Sequence, residues 1–285
     1  MIISAQNERA LKKILSNSNH FFCISHYNGD LNWIKYIKNN NYLVYNKSNN
    51  LLSDDIKKKN INNVGYNIYS YLDYIINNYN NLPNTIVFCK DNIFERHISI
   101  NRFSELLKNE KFTSLEETII QNNKFPVNVV FSDLGFAEIN NSWYKLSFPR
   151  KYFSNFNQFF NFIFETSKKP QFISFSPGAN YIVPKINILS RSKEFYINLL
   201  SFISHSKLSC ESHFLERSLK GIWNSNNKSS YKMNKILSEN ELSIISENCS
   251  RNIRHESYLN FSIKKKLLRI TSFYFSIILK FILSD

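Results

Sequence analysis

The chain has 285 residues and a mass of 33.8 kDa, which is enough for one large domain or two small ones with a sizeable core. Its 43% hydrophobic and 15% aromatic residues exclude a disordered chain, and its 5 Gly and 6 Pro exclude collagen-like or linker-dominated architectures. The formal net charge of +14 favours an anionic partner, which could be nucleic acid, an acidic membrane surface or a phosphorylated substrate. Nucleic acid is the least favoured of these, because the lysines form small scattered clusters and no zinc-finger or RNP-like run is present.

The first third of the chain alternates short apolar runs with helical patterns. Strands are predicted at residues 21–24, 42–45 and 85–88, and helices at 31–38 and 67–79. This β-α-β-α-β order predicts an α/β fold with a mostly parallel sheet flanked by helices.

Beyond residue 100 the chain includes a segment with a dense pattern of Phe residues, at 152–164, which is predicted to belong to the core. Predicted there are a helix at 100–108, an apolar stretch at 127–131, an aromatic core segment at 152–164, a turn into a buried strand at 177–184, and helices at 188–203 and 211–223. On the last helix, Phe214 and Leu215 belong to an apolar stripe, whereas His213, Glu216 and Arg217 lie on a different arc.

Three segments divide the chain. Residues 1–19 are predicted to be an N-terminal extension, 20–225 the main α/β domain, and 226–285 a helical C-terminal extension. The final apolar run, 267–283, contains charged residues and is shorter than the roughly 20 apolar residues of a membrane span. With the three lysines at 264–266 it is predicted either to lie on an anionic membrane surface or to cover the core as a docked helix.

The cysteines and the N-terminus bear on localisation. Cys23, Cys89, Cys210 and Cys249 are far apart and follow no CxxC spacing, so neither a zinc site nor a disulfide framework is indicated. Charged residues stand near the N-terminus where a signal peptide needs an apolar run. We therefore expect reduced thiols and a cytoplasmic protein, or one that is peripheral at the inner face of a membrane.

Polar clusters follow the three predicted strands at 26–30, 46–48 and 90–92. Because ligands of open α/β sheets bind outside the carboxyl ends of the strands, these clusters are candidates for a common site. Each taken alone could be an ordinary polar loop.

The familiar catalytic motifs are missing. Neither GxxxxGK[ST], GxGxxG, GxSxG nor HExxH occurs, and the six histidines have no ligand-like spacing. The remaining inventory suits group transfer, with Glu211 or Glu216 as general base on a hydroxyl and Arg217 or Lys90 stabilising a departing phosphate. An ordinary surface ion pair is the alternative for Glu216 and Arg217.

The sequence resembles a known family through several uncommon residues that recur in order. These are His26-Tyr27-x-x-Asp30-Leu31-x-Trp33, Tyr45-Asn46-Lys47, Asn63-Val64-Gly65-x-x-x-x-Ser70-Tyr71-Leu72-x-Tyr74-Ile75-Ile76-x-Asn78-Tyr79-x-Asn81-Leu82-Pro83, Ala179-Asn180-Tyr181-Ile182-Val183, Ile188-Leu189, Phe195-Tyr196 and Glu216-Arg217 ahead of Trp223. Over about residues 20–223 the chain is similar to the family known as domain of unknown function 3431, which looks like a relative of glycosyltransferases with the GT-A fold.

The resemblance implies a nucleotide-sugar donor at the ends of the first strands and an acceptor held by the later half. Carried over to this sequence, the donor site would be formed by His26, Asp30, Asn46, Lys47, Lys90 and Asp91, and the acceptor site by Asn180, Tyr181 and His213. Asp91 would stand where such enzymes carry Asp-x-Asp, but its neighbour here is Lys90, so it makes a weak Mn²⁺ or Mg²⁺ site.

The sequence therefore predicts a glycosyltransferase that moves a sugar from a nucleotide sugar to a glycan or lipid-linked acceptor, without an intact metal motif. The rival is a non-catalytic protein that binds a glycan or an anionic surface on a degenerate glycosyltransferase fold, which would account for the missing Asp-x-Asp.

Overall fold

The structure is a computed structural model that describes residues 5–117, 129–131, 135–140, 149–166 and 170–254. Its centre is a six-stranded sheet in the order β3-β2-β1-β4-β9-β5. The strands of this sheet are β1 (Phe21–His26), β2 (Tyr42–Asn46), β3 (Lys58–Asn60), β4 (Thr85–Lys90), β5 (Thr113–Ser114) and β9 (Tyr181–Pro184). The first four run parallel, whereas β9 is antiparallel to both β4 and β5, so the sheet is mixed and mostly parallel.

A second, three-stranded antiparallel sheet has the order β6-β7-β8. Its strands are β6 (Val129–Phe131), β7 (Gly135–Ile139) and β8 (Phe172–Ser174).

Helices cover both faces of the large sheet. They are α1 (Ala5–Asn17), α2 (Ile68–Asn78), α3 (Ile93–Arg96), α4 (Ile100–Leu106), α5 (Phe156–Ile163), α6 (Lys185–Leu189), α7 (Lys193–Ile203), α8 (Cys210–Trp223) and α9 (Glu239–Arg254). Short 3-10 helices lie at Asn32–Tyr36, Lys38–Asn40, Tyr79–Asn81 and Tyr231–Asn234.

The alternation of side chains along the central strands creates two cores. On β4, Ile86 and Phe88 face the core formed with α2, α5, α7 and α8, whereas Val87 and Cys89 face the core formed with α1 and α4. Because parallel strands are buried on both faces, they read as continuous apolar runs, and this is why β1 and β4 are visible in the sequence.

Several predicted elements differ from the structure. In place of the helix predicted at 31–38, the structure has a 3-10 helix at Asn32–Tyr36 and a second one at Lys38–Asn40, in which Asn39 and Asn40 have positive φ. The helix predicted at 188–203 is two helices, because the Ser192 side chain caps a new helix by accepting from the Phe195 N–H. Strand β3 was not predicted, since its Lys-rich sequence lies at the sheet edge.

Both predicted extensions pack on the main domain in their described parts. Leu11 and Leu15 of α1 are fully buried, and so is Met233 beyond α8. The segment 264–283, with its predicted membrane contact, lies outside the described residues. Within the described residues, no helix has the length and apolar character that crossing a membrane requires.

Candidate functional site

The strand order of the large sheet reverses between β1 and β4. The chain places β2 and then β3 on one side of β1, and returns through α2 to place β4 on the other side. Such a switch point leaves a crevice at the carboxyl ends of the two strands. Here the crevice lies between His26 and Lys90, since Ser25 is in register with Lys90.

Asp91 lies at this edge and holds the loop that follows β1. Its Oδ2 accepts from the N–H groups of Tyr27 (2.9 Å) and Gly29 (2.7 Å) and lies 2.8 Å from His26 Nδ1, while Oδ1 accepts from Asn92 N (2.7 Å). Burial alone would raise the pKa of Asp91, but the contacts with His26 and the two backbone N–H groups outweigh it and hold the pKa below its usual value.

These contacts bear on the predicted metal site. A hard cation needs several oxygen ligands, and both Asp91 oxygens already accept hydrogen bonds inside the protein. Among the residues described, no three His, Cys, Asp or Glu side chains group in a way that could hold a metal ion. The observed role of Asp91 is structural: from the end of β4 it binds the loop that follows β1 through hydrogen bonds to Tyr27 and Gly29.

The side chains of Asn46 and Asp30 make hydrogen bonds to residues of nearby loops and strands. The Asn46 amide donates to Asn60 Oδ1 (3.0 Å) and its oxygen accepts from Ser48, which ties β2 to β3. Asp30 Oδ1 accepts from Asn32 N (2.9 Å) at the start of the first 3-10 helix.

Lys47 holds a strained turn in front of α2. Its ammonium donates to the carbonyls of Val64 (2.5 Å) and Tyr66, and burial lowers its pKa to about 7. Both Gly65 and Tyr66 have positive φ, and for a bulky residue such as tyrosine that conformation is strained. A strained backbone conformation persists only where the surrounding structure holds it in place, and such conformations are most frequent at functional sites.

We expect Lys47→Met to cost about 1–3 kcal/mol of unfolding free energy, because it leaves two carbonyls without their donor. The Tyr66 turn should then relax. Urea unfolding measures the loss, and Lys57→Met, at an exposed lysine whose ammonium lies 5.8 Å from the centroid of the Phe21 ring, is the control. An equal effect of the two substitutions would contradict this role of Lys47.

Two lysines and two tyrosines form what we call the basic edge, namely Tyr27, Tyr66, Lys90 and Lys207. Lys90 Nζ lies 3.1 Å from the Tyr66 hydroxyl, and Lys207 Nζ lies 3.2 Å from the Tyr27 hydroxyl. Each ammonium also lies over the ring of its tyrosine, at 4.9 Å and 4.6 Å from the centroid. The backbone joins the two pairs, because Tyr66 N donates to the Lys207 carbonyl (3.0 Å).

The turn 177–180 lies beside Lys90. Asn180 Oδ1 accepts from the Lys90 N–H (3.1 Å), and its amide donates to the Pro177 carbonyl (3.1 Å). Gly178 and Ala179 both have positive φ, so a second strained turn stands next to the first. Asn180 is fully buried and holds the turn; the predicted acceptor contact from it stays a prediction.

Tyr181 and His213 are also buried. The Tyr181 hydroxyl accepts from Ser176 N (2.6 Å), and its ring packs edge-on against Trp223. His213 Nδ1 lies 4.0 Å from Glu216 Oε2 on α8.

Glu211 accepts hydrogen bonds from the backbone segment at residues 151–153. One of its oxygens accepts from the N–H groups of Lys151 (2.8 Å), Tyr152 (2.7 Å) and Phe153 (3.4 Å), and the other lies 3.1 Å from His205 Nε2. The structure does not bring Glu211 together with Lys90.

Glu216 and Arg217 belong to a buried ionic network, not to a surface pair. Arg217 donates to Glu138 Oε2 through Nε (2.9 Å) and Nη2 (2.7 Å), and its Nη1 lies 3.3 Å from Glu216 Oε2. Glu216 Oε1 accepts from Gly178 N (2.7 Å), so this carboxylate supports the turn 177–180. Burial would raise the pKa of Glu216, but His213 and Arg217 outweigh it and lower the pKa.

Sequence reasoning missed Tyr66, Lys207, Asn67 and His97. Tyr66 follows Gly65 directly before a predicted helix, which is the one signal that could have marked a special turn there. Lys207 and His97 come from loops far apart in sequence, and only the fold brings them to this edge.

The comparisons with known proteins identify the family. A family model described as "Protein of unknown function (DUF3431)" matches residues 23–239, which is more than half of the chain. The chain belongs to the DUF3431 family. No curated protein and no solved structure matches it. The DUF3431 match covers every residue of the basic edge, both strained turns and the buried network of α8.

Proposed function

We propose that this protein is a glycosyltransferase of the GT-A type, which transfers a sugar from a nucleotide sugar to a glycan or lipid-linked acceptor. The observation that carries the proposal is the basic edge at the switch point between β1 and β4, where open α/β sheets bind their ligands. The resemblance of the sequence motifs to GT-A glycosyltransferases is the second ground for this proposal.

The chemistry of the basic edge suits a nucleoside diphosphate. The ammonium groups of Lys90 and Lys207 offset phosphate charge, and the exposed ring of Tyr27 offers a face on which a base can stack. With Asp91 held by backbone N–H groups, these lysines supply the positive charge that a metal ion supplies at an intact Asp-x-Asp, so the proposed enzyme does not depend on Mn²⁺ or Mg²⁺.

In the proposed reaction, the bond between the anomeric carbon and the diphosphate oxygen breaks, and the nucleoside diphosphate leaves with the electron pair. The acceptor hydroxyl oxygen bonds to the anomeric carbon, and its proton passes to a base. Of the two predicted carboxylates, Glu216 is the better candidate, because it contacts the turn 177–180 beside Lys90 whereas Glu211 caps residues 151–153. A lipid-linked acceptor would fit a protein that works at the inner face of a membrane.

The test is a calorimetric screen of UDP, GDP, CDP and their sugar conjugates, with EDTA or with Mn²⁺. At least one nucleoside diphosphate should bind in EDTA, and Lys90→Met should weaken it by about tenfold to a hundredfold, since hydrogen bonds to a charged group contribute about 1.5–3 kcal/mol. Lys228→Met, at a lysine that is 84% exposed and paired only loosely with Glu165 (3.6 Å), is the matched control.

Absence of nucleotide binding, or equal binding by the Lys90→Met and Lys228→Met variants, would overturn the assignment. Strict dependence on Mn²⁺ would keep the transferase and refute its metal independence.

The rival function, a non-catalytic protein that binds glycans or anionic surfaces, also has an observation in its favour. Both predicted catalytic carboxylates, Glu211 and Glu216, are buried and accept hydrogen bonds from backbone N–H groups. Binding of glycans or anionic vesicles without any nucleotide binding would favour that function.

A further inference from the structure

Two buried polar atoms beside the turn 177–180 have no hydrogen-bond partner among the residues described. They are Asn67 Oδ1 and His97 Nε2. An orphaned buried acceptor costs about 1–3 kcal/mol, so native proteins keep such atoms for water, for an ion or for a ligand.

The orientation of the Asn67 side chain is fixed by its own amide. Its Nδ2 donates to the Gly178 carbonyl (2.7 Å) and to the Tyr71 hydroxyl (2.9 Å). Since a carbonyl only accepts, the nitrogen must face Gly178, and the orphaned atom is the amide oxygen. Asn67 is 4% exposed, and its oxygen can only accept a hydrogen bond.

His97 packs against the same glycine. A Cβ on Gly178 would lie 2.6 Å from His97 Cε1 and 2.7 Å from Nε2, so the imidazole occupies the space that any side chain would need. Burial, together with the neighbouring charges of Lys90 and Arg96, lowers the pKa of His97 to about 3. The ring is therefore neutral at pH 7 and offers one donor and one acceptor nitrogen.

We propose that Asn67 and His97 form a subsite for the hydroxyl groups of a sugar ring, adjoining the anion site at Lys90. This inference rests on the proposed function and names the part of the donor that these residues recognise. A hydroxyl can donate to the Asn67 oxygen, and because it both donates and accepts, it satisfies either tautomer of His97. A phosphate does not fit, since its oxygens would face the acceptor-only oxygen of Asn67.

The position of the subsite follows from its contacts with the turn. The backbone N–H of Lys90 donates to Asn180 Oδ1. Asn67 and His97 both contact Gly178, which precedes Asn180 by two residues in the same turn. The Lys90 ammonium lies 3.1 Å from the hydroxyl of Tyr66, the residue before Asn67, and its charge acts on His97. A diphosphate on this ammonium would therefore place the attached sugar near Asn67 and His97. The positive φ angles of Gly178 and Ala179 hold the turn in this shape.

The experiment compares nucleoside diphosphates with their sugar conjugates. Calorimetry gives the dissociation constants of UDP, UDP-glucose, GDP and GDP-mannose for the wild type, His97→Phe and Lys90→Met. His97→Phe keeps the ring on Gly178 and removes both nitrogens, so it should weaken the nucleotide sugar by about three- to tenfold and leave the plain diphosphate within about twofold. Lys90→Met should weaken both ligands equally.

A second readout needs no nucleotide. The imidazole resonances of ¹⁵N-histidine-labelled protein are followed while methyl α-glucopyranoside or methyl α-mannopyranoside is added, and the signal missing in His97→Phe identifies His97. A shift of that signal supports the subsite even where no nucleotide binds, in which case the proposed function fails and the hydroxyl site stands.

Two results would overturn the inference. In one, His97→Phe changes the affinities for diphosphate and nucleotide sugar by the same factor. In the other, neither a glycoside nor a nucleotide sugar moves the His97 resonance, which means that the orphaned atoms bind buried water only.

Discussion

Replacing Arg217 by Met will lower the unfolding free energy by about 3–5 kcal/mol, the range found when one partner of a buried ion pair is removed. Arg217 and Glu138 are each 3% exposed, and the guanidinium also contacts Glu216 and lies over the Phe175 ring at 4.6 Å. Met keeps much of the side-chain volume but leaves two buried carboxylates without the charge that they contact. Urea unfolding followed by circular dichroism measures the change.

The matched control for Arg217→Met is Arg102→Met. Arg102, whose side chain is 32% exposed, lies 3.0 Å from the 63% exposed side chain of Glu105 on α4, and ion pairs with this much access to solvent contribute about 0–1 kcal/mol. Arg217→Lys should fall between the two, because it keeps the charge but loses the guanidinium fork that meets Glu138. A loss in Arg217→Met as small as that in Arg102→Met would contradict the buried network.

This result also bears on function. The sequence predicted that Arg217 stabilises the leaving diphosphate, whereas the structure binds its guanidinium to Glu138 on the small sheet. An Arg217 variant that loses activity should therefore lose it in proportion to its loss of folded protein. Lys90→Met, in contrast, should lose ligand affinity while it stays folded.

The central sheet was predictable because its strands are buried on both faces. The apolar runs that begin at Phe21 and Thr85 are continuous, and the polar residues that end them, His26 and Lys90, do meet at one edge as predicted. Pairing partners were not predictable, since nothing local in Tyr181–Pro184 shows that this strand inserts antiparallel between β4 and β5.

The roles of the polar residues were less predictable than their positions. Asp91, Lys47 and Glu216 are predicted to face a ligand, and that role stays a prediction. The sequence did not show that each also makes hydrogen bonds to backbone groups of a loop elsewhere in the chain. The helical pattern placed Glu216 and Arg217 on a polar arc, which usually faces solvent. Helix α8 is instead buried on that arc as well, because the small sheet and the turn 177–180 pack against it.

Replacing Asp91 by Ala will also have a large effect and will lower the unfolding free energy by about 3 kcal/mol or more. The substitution leaves the N–H groups of Tyr27, Gly29 and Asn92 without their acceptor. The loop that carries Tyr27 is then no longer fastened to the end of β4, so nucleotide affinity should fall as well. Asp91→Asn keeps one acceptor oxygen and should lose less.

Gly29→Ala perturbs the same contact, between Gly29 and Asp91, by a change in the loop and not in the carboxylate. A Cβ at position 29 would lie 2.5 Å from Asp91 Cγ and 2.9 Å from the backbone nitrogen of Asn92, which is too close for any side chain. The Gly29→Ala variant must displace the Asp91 side chain. It should therefore lose stability and nucleotide affinity as Asp91→Ala does, although it still carries the Asp91 carboxylate. Retained affinity in both Gly29→Ala and Asp91→Ala would remove the basic edge from the proposed site.

The dependence of the unfolding free energy on pH in the acid range tests the hydrogen bonds of the Asp91 carboxylate independently of any ligand. The folded-state pKa of Asp91 lies below its usual value, so this carboxylate contributes stability above its unfolded pKa of about 3.9, and the contribution is lost as pH falls through the lower folded pKa. The difference in unfolding free energy between wild type and Asp91→Ala should thus be full at pH 7 and shrink below about pH 4. A difference that stays constant down to pH 2 would mean that the loss comes from packing and not from the ionised carboxylate that joins β1 to β4.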